Sequence, residues 1–204
     1  MKNFSIYAQN FSNPKVALDN FNLIYGNGFN LPLEKFISYL NGAPDKEQAL
    51  NFFERFVEAL KEKNINFEVS EKIAKGLIFV LGSSSFLGNI IISDPLLYVN
   101  FINNGVFFKP RSYEDYEKIV SEASPETFNE LCSFLRKVKK REFLRIGCRD
   151  ILKIASTIET MEELSLLAST LLDKALSYSF NELVKIYGTP YFVDNGEASE
   201  TIFS

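Results

Sequence analysis

The chain has 204 residues, and the 46% that are hydrophobic can bury a core, which excludes a disordered tail. A net charge of −4 argues against a protein that coats nucleic acid, because such binding needs many basic side chains to neutralise phosphates. Histidine is absent, which excludes His-based acid–base catalysis, Ser-His-Asp and Cys-His nucleophile systems, and the commonest zinc ligand.

The cysteine and hydropathy patterns predict a cytoplasmic protein. Cys132 and Cys148 fall on one predicted helix, roughly 24 Å apart, and therefore cannot pair with each other. The sequence shows no signal peptide and no apolar stretch of about 18 residues, so we expect no membrane segment. We also expect no metal site and no nucleic-acid partner.

Helix signals dominate the N-terminal half. The first ten residues lack a clear period and are expected to form a loosely docked arm. Cap residues and apolar positions at helical spacing then alternate along the chain. Gly82 is expected to end the fourth helix. The predicted helices cover residues 14–26, 33–40, 45–61, 71–81, 86–92 and 95–103.

The C-terminal half continues this pattern and then changes. Ser112 with Asp115 has the spacing of a capping box, for a helix to about residue 122. Ser124 with Pro125 is expected to begin the longest helix, which runs to about residue 155. Thr160 with Glu163 predicts another capping box, opening a helix that ends at Gly188. The tail from Thr189 looks extended, with a turn at 194–196 and a strand beginning at 201–203.

Helices in series with short connections predict an all-α fold, a multi-helix bundle with a short extended C-terminal tail. We divide the chain into residues 1–43, an N-terminal arm with short helices, 44–188, a helical bundle, and 189–204, a linker or strand.

One predicted helix is unusually basic. Between residues 136 and 149 it has one acid, Glu142, and the basic residues Arg136, Lys137, Lys139, Lys140, Arg141, Arg145 and Arg149. We call Arg141, Arg145 and Arg149 the arginine stripe, because their i, i+4, i+8 spacing places them on one helix face, where they repel unless anions lie opposite. Acids of a neighbouring helix, such as Glu162 and Glu163, could pair with the stripe. Alternatively, the stripe is a docking surface for a nucleotidyltransferase domain, a phosphate group or an acidic partner, or else for nucleic acid.

Three segments carry a family resemblance. The first is the run from Arg141 to Asp150, Arg-Glu-Phe-Leu-Arg-Ile-Gly-Cys-Arg-Asp. The second comprises Gly82, Ser84, Phe86, Leu87, Asp94, Pro95 and Leu97, and the third Glu163, Leu164, Ser165, Leu167 and Ala168. In order and spacing they resemble the helical part preceding the nucleotidyltransferase domain in the glutamine synthetase adenylyltransferase/deadenylylase (glutamate-ammonia-ligase adenylyltransferase) family. The resemblance runs from about Pro44 to the end.

This resemblance implies a parent enzyme that moves AMP from ATP to a tyrosine of glutamine synthetase, or removes it by phosphorolysis, and so regulates nitrogen assimilation. It implies ATP and magnesium as cofactors of the parent. The implied partners are glutamine synthetase, a PII-type signal protein and the parent's own nucleotidyltransferase domain. The implied interaction residues are Arg141, Glu142, Arg145, Arg149 and Asp150.

The catalytic motif of the family is missing from this sequence. In the family, the turn represented here by Gly188 and Pro190 leads into a Gly-rich loop and paired aspartates that hold magnesium. No two aspartates stand two apart in this chain. We therefore expect a fragment without catalytic residues or cofactors of its own, inactive by itself. The alternative is a helical interaction module that binds an acidic partner through the basic helix.

Overall fold

Ten α-helices, one short 3-10 turn and one β-hairpin make up the computed structural model, which describes residues 4–65, 69–194 and 197–200. The helices are α1 (Phe4–Ala8), α2 (Pro14–Gly26), α3 (Leu33–Asn41), α4 (Lys46–Glu62), α5 (Glu71–Ser83), α6 (Ser85–Ser93), α7 (Pro95–Asn103), α8 (Tyr113–Ser121), α9 (Phe128–Ile151) and α10 (Thr157–Tyr187). The 3-10 turn is Val106–Phe108. The predicted all-α, multi-helix fold is confirmed.

Short polar side chains cap the N-termini of six helices at the predicted positions. The Asp45 carboxylate accepts a hydrogen bond from the backbone N–H of Gln48 at 2.9 Å, and Asn13, Ser70, Ser84 and Asp94 act in the same way at their own helices. Ser112 forms the predicted capping box with Asp115. Each cap satisfies an N–H group that the first helical turn leaves without a partner. The starts of α2 and of α4 to α8 are therefore local properties of the sequence.

Two later helix starts differ from the prediction. The helix α9 begins at Phe128 instead of near Ser124, because the Thr127 hydroxyl accepts from the backbone N–H of Glu130 at 3.2 Å. The helix α10 begins at Thr157, where Ser156 provides the cap, and not after Thr160. With 31 residues α10 is longer than α9, which has 24. The capping signals at 124 and 160 were wrong because a better-placed hydroxyl lies a few residues away in each case.

The N-terminal segment is docked more firmly than expected. Phe4 on α1 stacks on Tyr25 of α2 with ring centroids 5.1 Å apart. Ala8 and Phe11 are both buried. The expectation of a loosely docked arm is therefore wrong for residues 4–11, because apolar side chains that show no helical period still bury their surface against α2.

The tail forms a hairpin in the part that the structure describes. Gly188 adopts φ +79°, a left-handed conformation that ends α10 where the sequence predicts. Strands β1 (Tyr191–Asp194) and β2 (Glu197–Glu200) then pair antiparallel, with Tyr191 opposite Glu200. The predicted turn involves Asn195 and Gly196 and the predicted strand covers 201–203, and these residues lie outside the described ones.

The chain divides into two compact units. Unit 1 consists of Met1–Pro110 and Lys140–Leu164, and unit 2 consists of Arg111–Lys139 and Ser165–Ser204. Helices α9 and α10 contribute residues to both. The division into an arm, a bundle and a linker remains a prediction about the domains of the protein.

The core of unit 1 is a continuous chain of aromatic rings. Successive ring centroids lie 5.1 to 6.4 Å apart along Phe21, Phe36, Phe53, Phe56, Tyr98 and Phe107. These distances are within the range in which edge-to-face and offset pairs add to the energy of burial. The chain of rings joins α2, α3, α4 and α7 to the 3-10 turn.

Glycines allow three close helix contacts in unit 1. A Cβ atom at Gly88 would come within 2.8 Å of the Phe52 ring, and one at Gly147 within 2.8 Å of a Leu87 methyl group. At Gly82 a Cβ would lie 2.8 Å from the backbone oxygen of Asp45. Gly82 was expected to end its helix, but α5 continues through it to Ser83. The glycine serves close packing of α5 against the start of α4.

Unit 2 is built from α8, the first part of α9, most of α10 and the hairpin. Tyr116 and Leu131 are buried within it. The Lys174 ammonium donates a hydrogen bond to the backbone oxygen of Ala123 at 3.3 Å. This contact joins α10 to the segment between α8 and α9.

Within residues 4–65, 69–194 and 197–200, no single helix is both long enough and apolar enough to cross a membrane. Helices α6 and α7 reach the required values only together, and they are bent by 94° relative to each other. Both contribute side chains to the buried core, including Ile91 and Tyr98.

Replacing Gly82 with alanine should destabilise the chain by about 1–3 kcal/mol, because the added methyl group would collide with a backbone oxygen that cannot move freely. Urea denaturation followed by circular dichroism measures the change. Gly76→Ala on the same helix is the matched control, since its Cβ would meet only Leu152 at 3.8 Å. The control should keep or raise stability through helix propensity. Equal losses in both variants would contradict the packing role of Gly82.

Candidate functional site

Two arginines of the stripe are fully buried. Arg145 and Arg149 are 0% and 1% exposed and are the largest side chains among the fully buried ones described. They lie one turn apart on α9, among the carboxylates of Glu142 and Glu163, which are also buried. A guanidinium stays charged inside a protein, so each needs anions and acceptors around it.

Arg145 has partners on three elements. Its Nε donates to Glu142 on the same helix at 2.7 Å, and its Nη1 donates to the backbone oxygen of Lys109 at 3.2 Å. Its Nη2 donates to Oε1 of Glu163 on α10. The planar fork of the guanidinium therefore ties α9 both to α10 and to the residue after the 3-10 turn.

Arg149 repeats this arrangement one helical turn later. Its Nε donates to Oε2 of Glu163 at 3.1 Å, and its Nη1 donates to the backbone oxygen of Phe107 at 2.8 Å. Its Nη2 donates to Glu159, which is partly exposed. Glu163 thus binds both arginines, one with each carboxylate oxygen, and is the centre of the cluster.

Arg141 completes the charge balance. This half-buried arginine donates from Nε to Glu142 at 3.3 Å. The three arginines of the stripe therefore face three glutamates, Glu142, Glu159 and Glu163. We call these six residues the arginine–glutamate network. Since its charges match in number, the stripe does not repel itself.

The structure shows where the predicted interaction residues and their suggested acidic partners lie. Of the two acids that the sequence suggested as partners, Glu163 pairs with the arginines, while Glu162 is exposed. Asp150, the fifth predicted interaction residue, is half-buried. Arg145, Arg149 and Glu142 are buried, so only Arg141 and Asp150 of the predicted set reach the surface appreciably. A role of this set in binding a partner stays a prediction.

Sequence reasoning missed part of the network. Glu159 was not among the acids suggested as partners of the stripe, and the backbone oxygens of Phe107 and Lys109 have no signature in the sequence. Glu163 was assigned to a capping box, which is wrong because its carboxylate is occupied by Arg145 and Arg149. One sequence signal could have indicated this pairing. Glu159 and Glu163 are spaced i, i+4, as are Arg145 and Arg149, so each pair lies on one face of its helix.

The chemistry of the network is structural. Arginine is too basic to exchange protons, and carboxylates paired with guanidinium groups are poor general bases. Within the described part of the chain no three acidic or cysteine side chains form a group that could hold a metal ion. These residues do not fit a magnesium–nucleotide site. The network can brace helices against one another.

Cys148 lies between the buried arginines in sequence but belongs to the apolar core. It is fully buried, and burial raises the pKa of its thiol well above the usual range. Cys132 on the same helix is partly exposed. The two free thiols therefore lie in different environments.

Residues 74–203 match the sequence profile of a family described as glutamate-ammonia ligase adenylyltransferase. The match covers well over half of the 204 residues. The chain belongs to the glutamate-ammonia ligase adenylyltransferase family. The resemblance found in the sequence is confirmed, and all six residues of the network lie inside the matched stretch.

Individual relatives agree with this family. A bifunctional glutamine synthetase adenylyltransferase/adenylyl-removing enzyme of Nitrosococcus oceani is 32% identical over 154 residues, which is 74% of this chain and 16% of the relative. Enzymes of the same name from Haemophilus ducreyi and Thioalkalivibrio sulfidiphilus are 27% and 30% identical, over 66% and 57% of this chain and 14% and 12% of theirs. The chain thus spans 12% to 16% of the length of these relatives. No solved structure matches it.

Replacing Glu163 with alanine should cost about 3–5 kcal/mol of stability, because it leaves two buried guanidinium groups without their shared carboxylate. Chemical denaturation measures the loss. Glu162→Ala, at the adjacent exposed position, should change stability by no more than about 0.5 kcal/mol. A small effect at Glu163 would show that the network contributes little to the fold.

Thiol labelling should separate the two cysteines. At pH 8 a disulfide reagent should modify Cys132 in the native chain and reach Cys148 only on unfolding, because a buried neutral thiol is a poor nucleophile. Mass spectrometry of labelled peptides measures both rates. The Glu163→Ala variant should expose Cys148 at lower denaturant concentrations. Fast labelling of Cys148 in the native chain would contradict its placement in the core.

Proposed function

We propose that this chain is a helical region of a larger enzyme that transfers AMP from ATP to a tyrosine of glutamine synthetase or removes it by phosphorolysis. The family membership and the names of the relatives support this reaction. The observation that carries the proposal is the network itself, which lies within the stretch shared with the family. It joins α9 to α10 by buried ion pairs, and Arg149 joins α9 to the 3-10 turn by a hydrogen bond to a backbone oxygen.

In this proposal the chain supports a catalytic domain and provides no catalytic residue. The network holds the start of α10 against α9, and the hydrogen bonds given above for Arg145 and Arg149 go to carboxylates and backbone oxygens. Such a fork fixes both distance and angle between helices. The chain alone is inactive, and it acts as a brace for a catalytic domain outside these residues.

ATP and magnesium belong to the parent enzyme in this proposal. Adenylyl transfer requires carboxylates that fix metal ions on the nucleotide phosphates, and a loop whose backbone approaches the triphosphate closely. We assign neither role to a residue of this chain. The chain's contacts would be to its own nucleotidyltransferase domain, to glutamine synthetase and to a PII-type signal protein.

A cytoplasmic location and a part in nitrogen assimilation complete the proposal. The free thiols of Cys132 and Cys148 are compatible with a reducing compartment. Glutamine synthetase, after which the relatives are named, provides the link to nitrogen assimilation.

A second candidate function is supported by a separate observation. Arg136, Lys137, Lys139 and Lys140 of α9 are exposed, in contrast to Arg145 and Arg149. An interaction module that binds an acidic partner would therefore use the first part of the basic helix and not the buried stripe. Electrostatic contacts of this kind steer association and weaken with salt.

The AMP-transfer proposal is tested with ATP labelled at the α-phosphate and purified glutamine synthetase. The chain alone should incorporate no label. A chimera in which the chain replaces the matched segment of the Nitrosococcus oceani relative should incorporate it, and Glu163→Ala should lower the rate at least about tenfold through loss of the brace. The Glu162→Ala chimera is the matched control. A folded chimera whose activity is indifferent to Glu163→Ala would refute the bracing role.

The interaction module is tested by charge reversal. The double variant Arg136→Glu/Lys137→Glu should lose about tenfold or more in affinity for an acidic partner, with glutamine synthetase as the first partner assayed, and keep its melting temperature. Lys15→Glu/Lys118→Glu reverses the same amount of charge at exposed positions elsewhere. Biolayer interferometry at two salt concentrations measures the affinity. Equal losses in both double variants would indicate a general charge effect and no specific surface.

A further inference from the structure

Unit 1 contains a large cavity separate from the arginine–glutamate network. Its volume is about 1080 Å³, and residues of α3, α5, α7, the 3-10 turn and the end of α9 line it. Sites for small molecules usually have volumes of a few hundred to about 1,000 Å³ and are mostly apolar with a few polar groups. The cavity therefore has the size of a ligand site.

The walls of the cavity are largely apolar. Phe79, Ile102, Phe107 and Leu152 contribute ring or aliphatic surface to it. Gly76 also lies on the wall, and a Cβ there would meet only the Leu152 methyl groups, at 3.8 Å. The lack of a side chain at this position keeps the space open.

One buried polar group faces this space. Tyr98 lines the cavity and is 1% exposed, and its ring is held between Phe56 and Phe107 at centroid distances of 6.2 and 5.9 Å. Among the residues that the structure describes, its hydroxyl forms no hydrogen bond. Burial, with a smaller contribution from Cys148, raises the pKa of Tyr98, so the hydroxyl is a neutral donor. A polar ligand atom in the cavity can accept a hydrogen bond from this donor.

The rim of the cavity is positively charged. Lys72, Lys75 and Lys153 lie on it with one acid, Asp150. None of these lysines forms an ion pair with a described residue, whereas Lys35, next to the same region, pairs with Glu71. A positive rim on a chain with a net charge of −4 favours an anion at this place.

We propose that this cavity binds a small amphipathic anion, with an elongated apolar body and a carboxylate. The apolar body contacts Phe79, Phe107 and Leu152, and the carboxylate lies among Lys72, Lys75 and Lys153. The buried position of Tyr98 favours a slender molecule over a protein segment, because its hydroxyl can be reached only from within the cavity. The proposal does not depend on AMP transfer.

The test uses the complete chain and the fluorescent fatty acid dansyl-undecanoate as the probe. Fluorescence titration should show saturable binding of one probe per chain. Decanoate should displace the probe, and decanol, which lacks the charge, should do so at least about fivefold less well. If decanoate and decanol displaced the probe equally well, the proposed binding of the carboxylate by the lysines would be wrong.

Variants then locate the binding site. Gly76→Leu should abolish probe binding by filling the cavity, and Tyr98→Phe should weaken it about threefold to tenfold through loss of one hydrogen bond. Lys72→Gln/Lys75→Gln should weaken it about fivefold or more, whereas Lys15→Gln/Lys118→Gln, the matched control, should not. Circular dichroism checks folding, and if Gly76→Leu does not fold, the lysine and tyrosine variants decide. Unchanged binding in all of them would place the probe elsewhere and overturn the proposal.

A last experiment tests whether the cavity binds a helical protein segment instead of a small molecule. An acidic amphipathic helical peptide is titrated against the chain with the probe bound. The proposal expects decanoate to compete and the peptide not to. Displacement by the peptide but not by decanoate would show a protein-docking groove and overturn the small-ligand proposal.

Discussion

The buried carboxylate of Glu163 is the constraint on which the arrangement of α9 and α10 in unit 1 depends. Two guanidinium groups that are almost inaccessible to water cannot lose their charge, so their desolvation must be offset by anions at hydrogen-bond distance. Glu163 supplies one oxygen to each, and Glu142, Glu159 and the backbone oxygens of Phe107 and Lys109 accept hydrogen bonds from the other guanidinium nitrogens. Any other placement of the start of α10 would leave charges buried without partners.

The network and the aromatic core meet at one short segment. Phe107 contributes its ring to the aromatic chain through Tyr98 and its backbone oxygen to Arg149. Gly147 lets α9 approach Leu87 closely between these two regions. The 3-10 turn is therefore fixed from both sides, by apolar packing and by charge. The cavity opens beside this same segment, where Tyr98 and Phe107 form part of its wall.

Family membership gives these observations their functional meaning. The matched stretch contains the network, and its described residues include no group of three or more acidic or cysteine side chains that could hold a metal ion. Nucleotidyl transfer depends on the exact placement of metal-binding carboxylates, and rigid supporting helices are one way to secure that placement. A region held by buried charge pairs is well suited to this supporting role. The cavity adds a place where a small molecule could act on the same helices.

The sequence by itself determined the starts of α2 and of α4 to α8, because caps such as Asp45 and Ser112 act on backbone groups three residues away. It also determined the family, through residues 141–150. Only the tertiary structure decided that Arg145 and Arg149 are buried. Their partners Lys109 and Phe107 lie 36 and 42 residues away in sequence, and backbone oxygens leave no residue pattern. The cavity arises from five separate elements, and only packing brings these together.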